Sequence, residues 1–142
     1  MEVREGEGWR LVFDPARQPF VVLIGGGPQA GGGWAAELTA VEAWTLRSGV
    51  GRLVAQHGDL APGLMAEEVI ELALEMACGE GVLWLALEGD RHRWQLRFVL
   101  TPANGLRALE GSWDGLASGP LAAALAALPP LEAGGVRSGF PG

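Results

Sequence analysis

The chain has 142 residues, 49% hydrophobic and 19% charged, with a net charge of −7. That length suits one domain burying roughly two-thirds of its unfolded surface, and the apolar content excludes global disorder. No run of about 18 uninterrupted apolar residues is available for a spanning helix, and the acidic excess opposes non-specific nucleic-acid binding, which needs cations facing phosphates.

Along the chain, Met1-Glu2-Val3-Arg4-Glu5 is charged and carries no apolar leader. With a single cysteine, Cys78, this points to a cytoplasmic protein without internal disulfides. Trp9–Phe13 alternates as a strand does, and Asp14-Pro15 opens a turn. Phe20–Ile24 is a continuous β-branched run stopped by Gly25-Gly26-Gly27-Pro28. Trp34–Leu38 gives a third short strand, so an antiparallel meander is the economical arrangement. Thr39 and Glu42 form a capping box at the start of a helix over 40–57, whose apolar stripe is Val41, Trp44, Val50, Leu53 and Val54.

Residues 65–78 read two ways. Met65, Val69, Leu72, Ala73 and Met76 fit one helical face, whereas Ile70, Leu72, Leu74 and Met76 alternating with Glu71 and Glu75 fit a strand. Residues 82–88 and 91–100 then flank a two-residue turn at Gly89-Asp90. Closing the hairpin there sets 87 against 92, 85 against 94 and 83 against 96. One face carries Leu83, Leu85, Leu87, Trp94, Leu96 and Phe98; the other carries Val82, Trp84, Ala86, Arg93, Gln95 and Arg97. A strand over 106–113 follows, and Ser118-Gly119-Pro120 opens a short helix ended by Pro129-Pro130. The expected domain is 1–130, with 131–142 a disordered Gly/Pro-rich tail. The fold class is α+β: two meander-plus-helix halves, three strands and a helix, then three or four strands and a helix.

Five blocks in this order carry a resemblance: Gly8-Trp9-Arg10, Leu23-Ile24-Gly25-Gly26, Trp34–Thr39 with Glu42, Leu83–Gly89, and Glu110-Gly111-Ser112-Trp113. They resemble the domain-of-unknown-function family DUF 1818 of cyanobacteria and plants, over about residues 7–128. The resemblance implies a fold similar to the Whirly-type single-stranded-DNA-binding transcriptional regulators, with residues 68–76 as a strand. It supplies no activity and no site residue, so function must be read from the site itself.

The chemistry is sparse. Ile24–Ala30 matches a dinucleotide fingerprint, but that motif works only where a helix begins inside it. Here glycines, Pro28 and then a strand follow. The chain has no lysine, which excludes a Walker-type phosphate loop. His57 and His92 lie on separate elements and Cys78 has no partner, so no metal site is expected. Neither Cys78 nor Ser112 has a base nearby in sequence, and Glu71 and Glu75 alternate outward as solvated carboxylates do. No enzyme, cofactor or metal is expected.

The candidate binding surface is the second hairpin face: Trp84, Arg93, Gln95 and Arg97. An indole beside two guanidinium groups has the equipment to stack a base and hold phosphates, as single-strand binders do. The competing arrangement pairs the arginines with Glu71, Glu75 or Glu88 and uses Trp84 to cover a protein surface. The acidic balance favours the latter. The sequence therefore points to a small binding protein whose sheet face engages a protein partner or its own copy. Single-stranded nucleic-acid binding is the alternative, and a small-molecule pocket stands third.

Overall fold

Alternating side chains dictate two sheets, each a four-stranded antiparallel meander followed by a helix. The computed structural model describes residues 1–27, 33–103 and 108–130. The first sheet runs β1 (Glu2–Gly6), β2 (Trp9–Phe13), β3 (Val22–Gly26) and β4 (Trp34–Leu38), paired in that order. Helix α1 (Ala40–Leu60) follows, closed by a single 3-10 turn at Ala61–Gly63. The second sheet runs β5 (Ile70–Cys78), β6 (Gly81–Gly89), β7 (Trp94–Thr101) and β8 (Leu109–Trp113), and α2 (Ser118–Ala126) ends the fold. This is the α+β class read from the sequence.

Apart from β3, which lies two residues later than 20–24 and runs through Gly25 and Gly26 rather than stopping at them, four details differ from the sequence reading. The first is an additional strand, β1, whose five residues are all exposed. It has almost no apolar periodicity. Its place comes from pairing with β2 across a two-residue turn, Glu7-Gly8, where Gly8 takes φ +84° at no steric cost. The second concerns α1, which runs past 57 to Leu60. Gly58 does not break it, and Pro62 starts the 3-10 turn that stops it.

The third is the ambiguous segment, which is a strand, and begins and ends two residues later than 68–76. The fourth is the hairpin register. Gly89 pairs with Trp94, Leu87 with Leu96 and Leu85 with Phe98, leaving Asp90–Arg93 as a four-residue loop. The Asp90 carboxylate organises that loop by accepting hydrogen bonds from the His92 and Arg93 amides, both at 2.8 Å. Because the shift is even, the side chains that remain in the paired strands keep their expected faces; Arg93, now in the loop, does not. The expected tail at 131–142, the first residues of the 106–113 strand and most of the glycine loop after β3 lie outside the described residues.

The helices are exchanged between the halves. Helix α1 packs on β5 and β6 of the second sheet, and α2 packs on β1 and β2 of the first. The approach of α1 is close: a Cβ on Gly49 would stand 3.0 Å from Leu85 and 3.1 Å from Met76. The capping box holds its start, with the Thr39 amide donating to Glu42 at 2.9 Å and the Glu42 amide to the Thr39 hydroxyl at 3.3 Å. At the other helix, Ser118 is fully buried. Its hydroxyl donates to the Trp113 carbonyl at 2.8 Å and accepts from the Leu96 amide at 3.0 Å, tying α2 to the second sheet.

Two indoles lock the sheets together. Trp113 Nε1 donates to the Gly25 carbonyl at 2.9 Å, and Trp34 Nε1 donates to the Ser112 carbonyl at 3.1 Å. Their rings and Phe98 form one cluster, with centroids 5.2 to 5.8 Å apart. Around it lie Leu11, Ile24, Leu38, Leu46, Leu53, Leu85, Leu87, Leu96 and Leu121, nearly all inaccessible to solvent. A single core therefore serves both halves.

Candidate docking face on the second sheet

The inner side of the second sheet is sealed by α1, so its chemistry lies on the outer side. Strand parity places Glu71 and Glu75 of β5, Val82, Trp84 and Glu88 of β6, Gln95, Arg97 and Val99 of β7, and Glu110 of β8 there. Trp84 sits in the middle, with Glu75 opposite on one side and Val99 on the other. It is half-buried, while Val82 beside it is 41% exposed.

The candidate residues meet only in part. The Arg97 guanidinium lies over the Trp84 ring at 5.1 Å from its centroid and 3.5 Å from the Glu71 carboxylate. Gln95 donates to Glu88 at 3.2 Å. Arg93 is elsewhere. It closes the four-residue loop, and its side chain lies against Gly115 ahead of α2, where an added Cβ would stand 2.6 Å from its Cγ. Along the chain, Trp84 and Asp90 at the start of the loop are six residues apart, about 20 Å.

Electrostatics decide what the face accepts. Among the described residues of these four strands, four carboxylates face outward against the one guanidinium of Arg97, itself engaged by Trp84 and Glu71. Such a surface repels phosphate and attracts cations. Glu110 was not singled out by the sequence reading. The alternation Leu109-Glu110-Gly111-Ser112-Trp113 carries the signal, because a buried Trp113 forces Glu110 outward.

Other candidates have structural roles. His57 is 5% exposed beneath the β6–β7 loop, its Nε2 2.9 Å from the Asp90 carbonyl oxygen and its ring 5.9 Å from Trp94. Burial pushes the Cys78 thiol above its ordinary value, against a lowering hydrogen bond with Thr45; a thiol so held is a poor nucleophile. Among the described residues, no three His, Cys, Asp or Glu side chains converge as metal ligands, and no helix is long and apolar enough to cross a membrane. A groove of about 340 Å³ separates α1 from α2, lined by Val50, Val54, Trp94 and Ala122. Its Arg47 guanidinium is taken up by the Leu125 and Ala126 carbonyls, both at 3.1 Å, leaving little to orient a ligand.

No curated protein matches this chain. A solved structure does: the crystal structure of a protein with unknown function from the DUF155 family of Prochlorococcus sp. NATL2A at 1.80 Å resolution. It is similar to this chain at 35% identity with a TM-score of 0.75, over 88% of this chain and 96% of that one. The family profile described as "Domain of unknown function (DUF1818)" matches residues 4–128, nearly the whole described fold. The chain belongs to the DUF1818 family.

Proposed function

We propose that this chain is a non-enzymatic cytoplasmic binding module that engages a protein partner through the outer face of its second sheet. The observation that carries this reading is Trp84: a half-buried indole at the centre of a sheet face, near exposed Val82 on its own strand, with Glu75 opposite and Glu71, Glu88 and Glu110 further out. A large aromatic with an apolar neighbour and a charged rim is the composition of an interaction hot spot. Among the described residues the face carries no cysteine or histidine, and its carboxylates are exposed on an open sheet with no enclosed pocket around them, which supports binding over catalysis.

The alternative is a regulatory protein that binds single-stranded nucleic acid, in keeping with the Whirly-type fold that the family resemblance implies. It uses the same indole and Arg97 for stacking. The carboxylate majority speaks against it, as does the distance of Arg93. Trp84→Ala separates the two. The docking reading expects nuclease-resistant partners recovered with the wild-type chain to be lost with the variant. Binding of single-stranded oligonucleotides that weakens steeply with salt and depends on Trp84 would replace it.

A further inference from the structure

Strand β5 pairs with β6 on one side, and among the described residues no strand pairs with its other side. It is nine residues long, with no proline and no lysine to blunt it. An edge of that length presents a row of backbone donors and acceptors ready to template another strand. Its two faces differ. On the inner face, Leu83, Leu85 and Leu87 of β6 are 0 to 2% exposed, whereas their β5 neighbours Leu72, Leu74 and Met76 remain half-buried. Helix α1 covers this face from above, with Leu74 and Met76 beside Gly49, but among the described residues no strand flanks it laterally; Val69, just ahead of the strand, is 62% exposed. On the outer face, the only charged side chains of β5 are Glu71 and Glu75, both exposed.

We propose that the free edge of β5 is a strand-addition site for an extended segment of a partner protein that alternates cationic and apolar residues. The inference rests on the docking reading above and names the partner's chemistry. The backbone supplies pairing, the apolar side chains extend the cover over Leu72, Leu74 and Met76, and the cationic ones meet Glu71 and Glu75. The face already holds a guanidinium of its own in this manner, Arg97 lying on Trp84 and against Glu71. A second copy of this chain fits less well. Antiparallel pairing of β5 with itself, in registers centred on residues 71 to 76, sets a glutamate opposite or diagonal to a glutamate of the copy.

The test uses the full chain and a synthetic peptide of alternating arginine and valine, matched in length to β5, with a glutamate–valine peptide as control. The arginine peptide is expected to bind, to slow hydrogen exchange at alternate amides between 70 and 78, and to weaken about tenfold in the double variant Glu71→Lys, Glu75→Lys. Glu110→Lys, on the far edge of the same face, is expected to change binding far less. Equal binding of both peptides, no binding of either, or binding that leaves the β5 amides unprotected overturns the edge site. So does a concentration-dependent dimer of the chain that protects those amides by itself. The docking reading is judged separately: if Trp84→Ala still removes native partners while the peptide test fails, the face survives and the edge does not.

Discussion

The two sheets share one strand plan and present opposite surfaces. In the first, every strand has five residues, and the outward charges are balanced: Glu5 pairs with Arg10 at 3.5 Å, and Glu37 with Arg17. In the second, the first three strands have nine, nine and eight residues, and acid outnumbers base around an open indole. Apolar alternation builds most of both sheets, β1 being held by its pairing with β2. What differs is the outward half of the alternation, which contributes little to stability and is free to be used for recognition.

The sharpest way to test that division is to compare two tryptophans. Trp113 is 1% exposed, hydrogen-bonded to Gly25 and packed on Phe98 and Trp34. Trp113→Ala is expected to cost about 3–5 kcal/mol in urea unfolding. Trp84→Ala, on the outer face, is expected to cost well under that, about 1 kcal/mol or less. Equal costs would mean that Trp84 is held for stability and would remove the basis for a docking face. Separate transitions for the two sheets in the Trp113 variant would show that its indole is what couples them.

A smaller effect is expected at Ser118. Ser118→Ala leaves the Leu96 amide and the Trp113 carbonyl without their shared partner in a buried place. The expected loss is about 1–3 kcal/mol, with faster hydrogen exchange at Leu96. An unchanged Leu96 amide would show that α2 is seated by packing alone.

The smallest effect belongs to the loop that only the second sheet has. Hydrogen bonds from the Arg93 and then the His92 amides hold the Asp90 carboxyl below its ordinary value of 3.8. A carboxyl depressed on folding stabilises above its unfolded pKa, and that contribution disappears as pH falls through the folded value. The stability gap between the wild type and Asp90→Ala is therefore expected to be constant near neutrality and to close below about pH 4. A gap that persists in acid would mean that the loop is held by something other than this ionised group.

Much of the architecture was legible because it depends on parity and capping, which are local. The faces of the 82–100 hairpin survived a wrong register, since an even slip preserves them. Thr39 and Glu42 marked the start of α1 to the residue. What stayed hidden depends on distant partners. β1 is a strand because β2 lies beside it, and no pattern within Glu2–Gly6 shows that. Helix–strand ambiguity over 65–78 was settled through the family resemblance, and the pairing of β5 with β6 supplies the physical reason. At the candidate site, Trp84, Gln95 and Arg97 were placed on one face as expected. Arg93 was not, because the Asp90 loop moved the turn past it and Gly115 left room for its side chain.

The exchange of helices has a consequence for the order in which the molecule is made. When α1 leaves the ribosome, its sheet partners β5 and β6 have not yet emerged. The face of β1 and β2, with Trp9, Leu11 and Phe13, waits longer still, for a helix that ends at Ala126. At ordinary translation speeds that interval is about ten seconds, with a bare apolar sheet in the N-terminal part already made. Neither half is a self-sufficient folding unit, so the nascent first half is the species that needs shielding. Any chain terminated before residue 118 carries that need permanently.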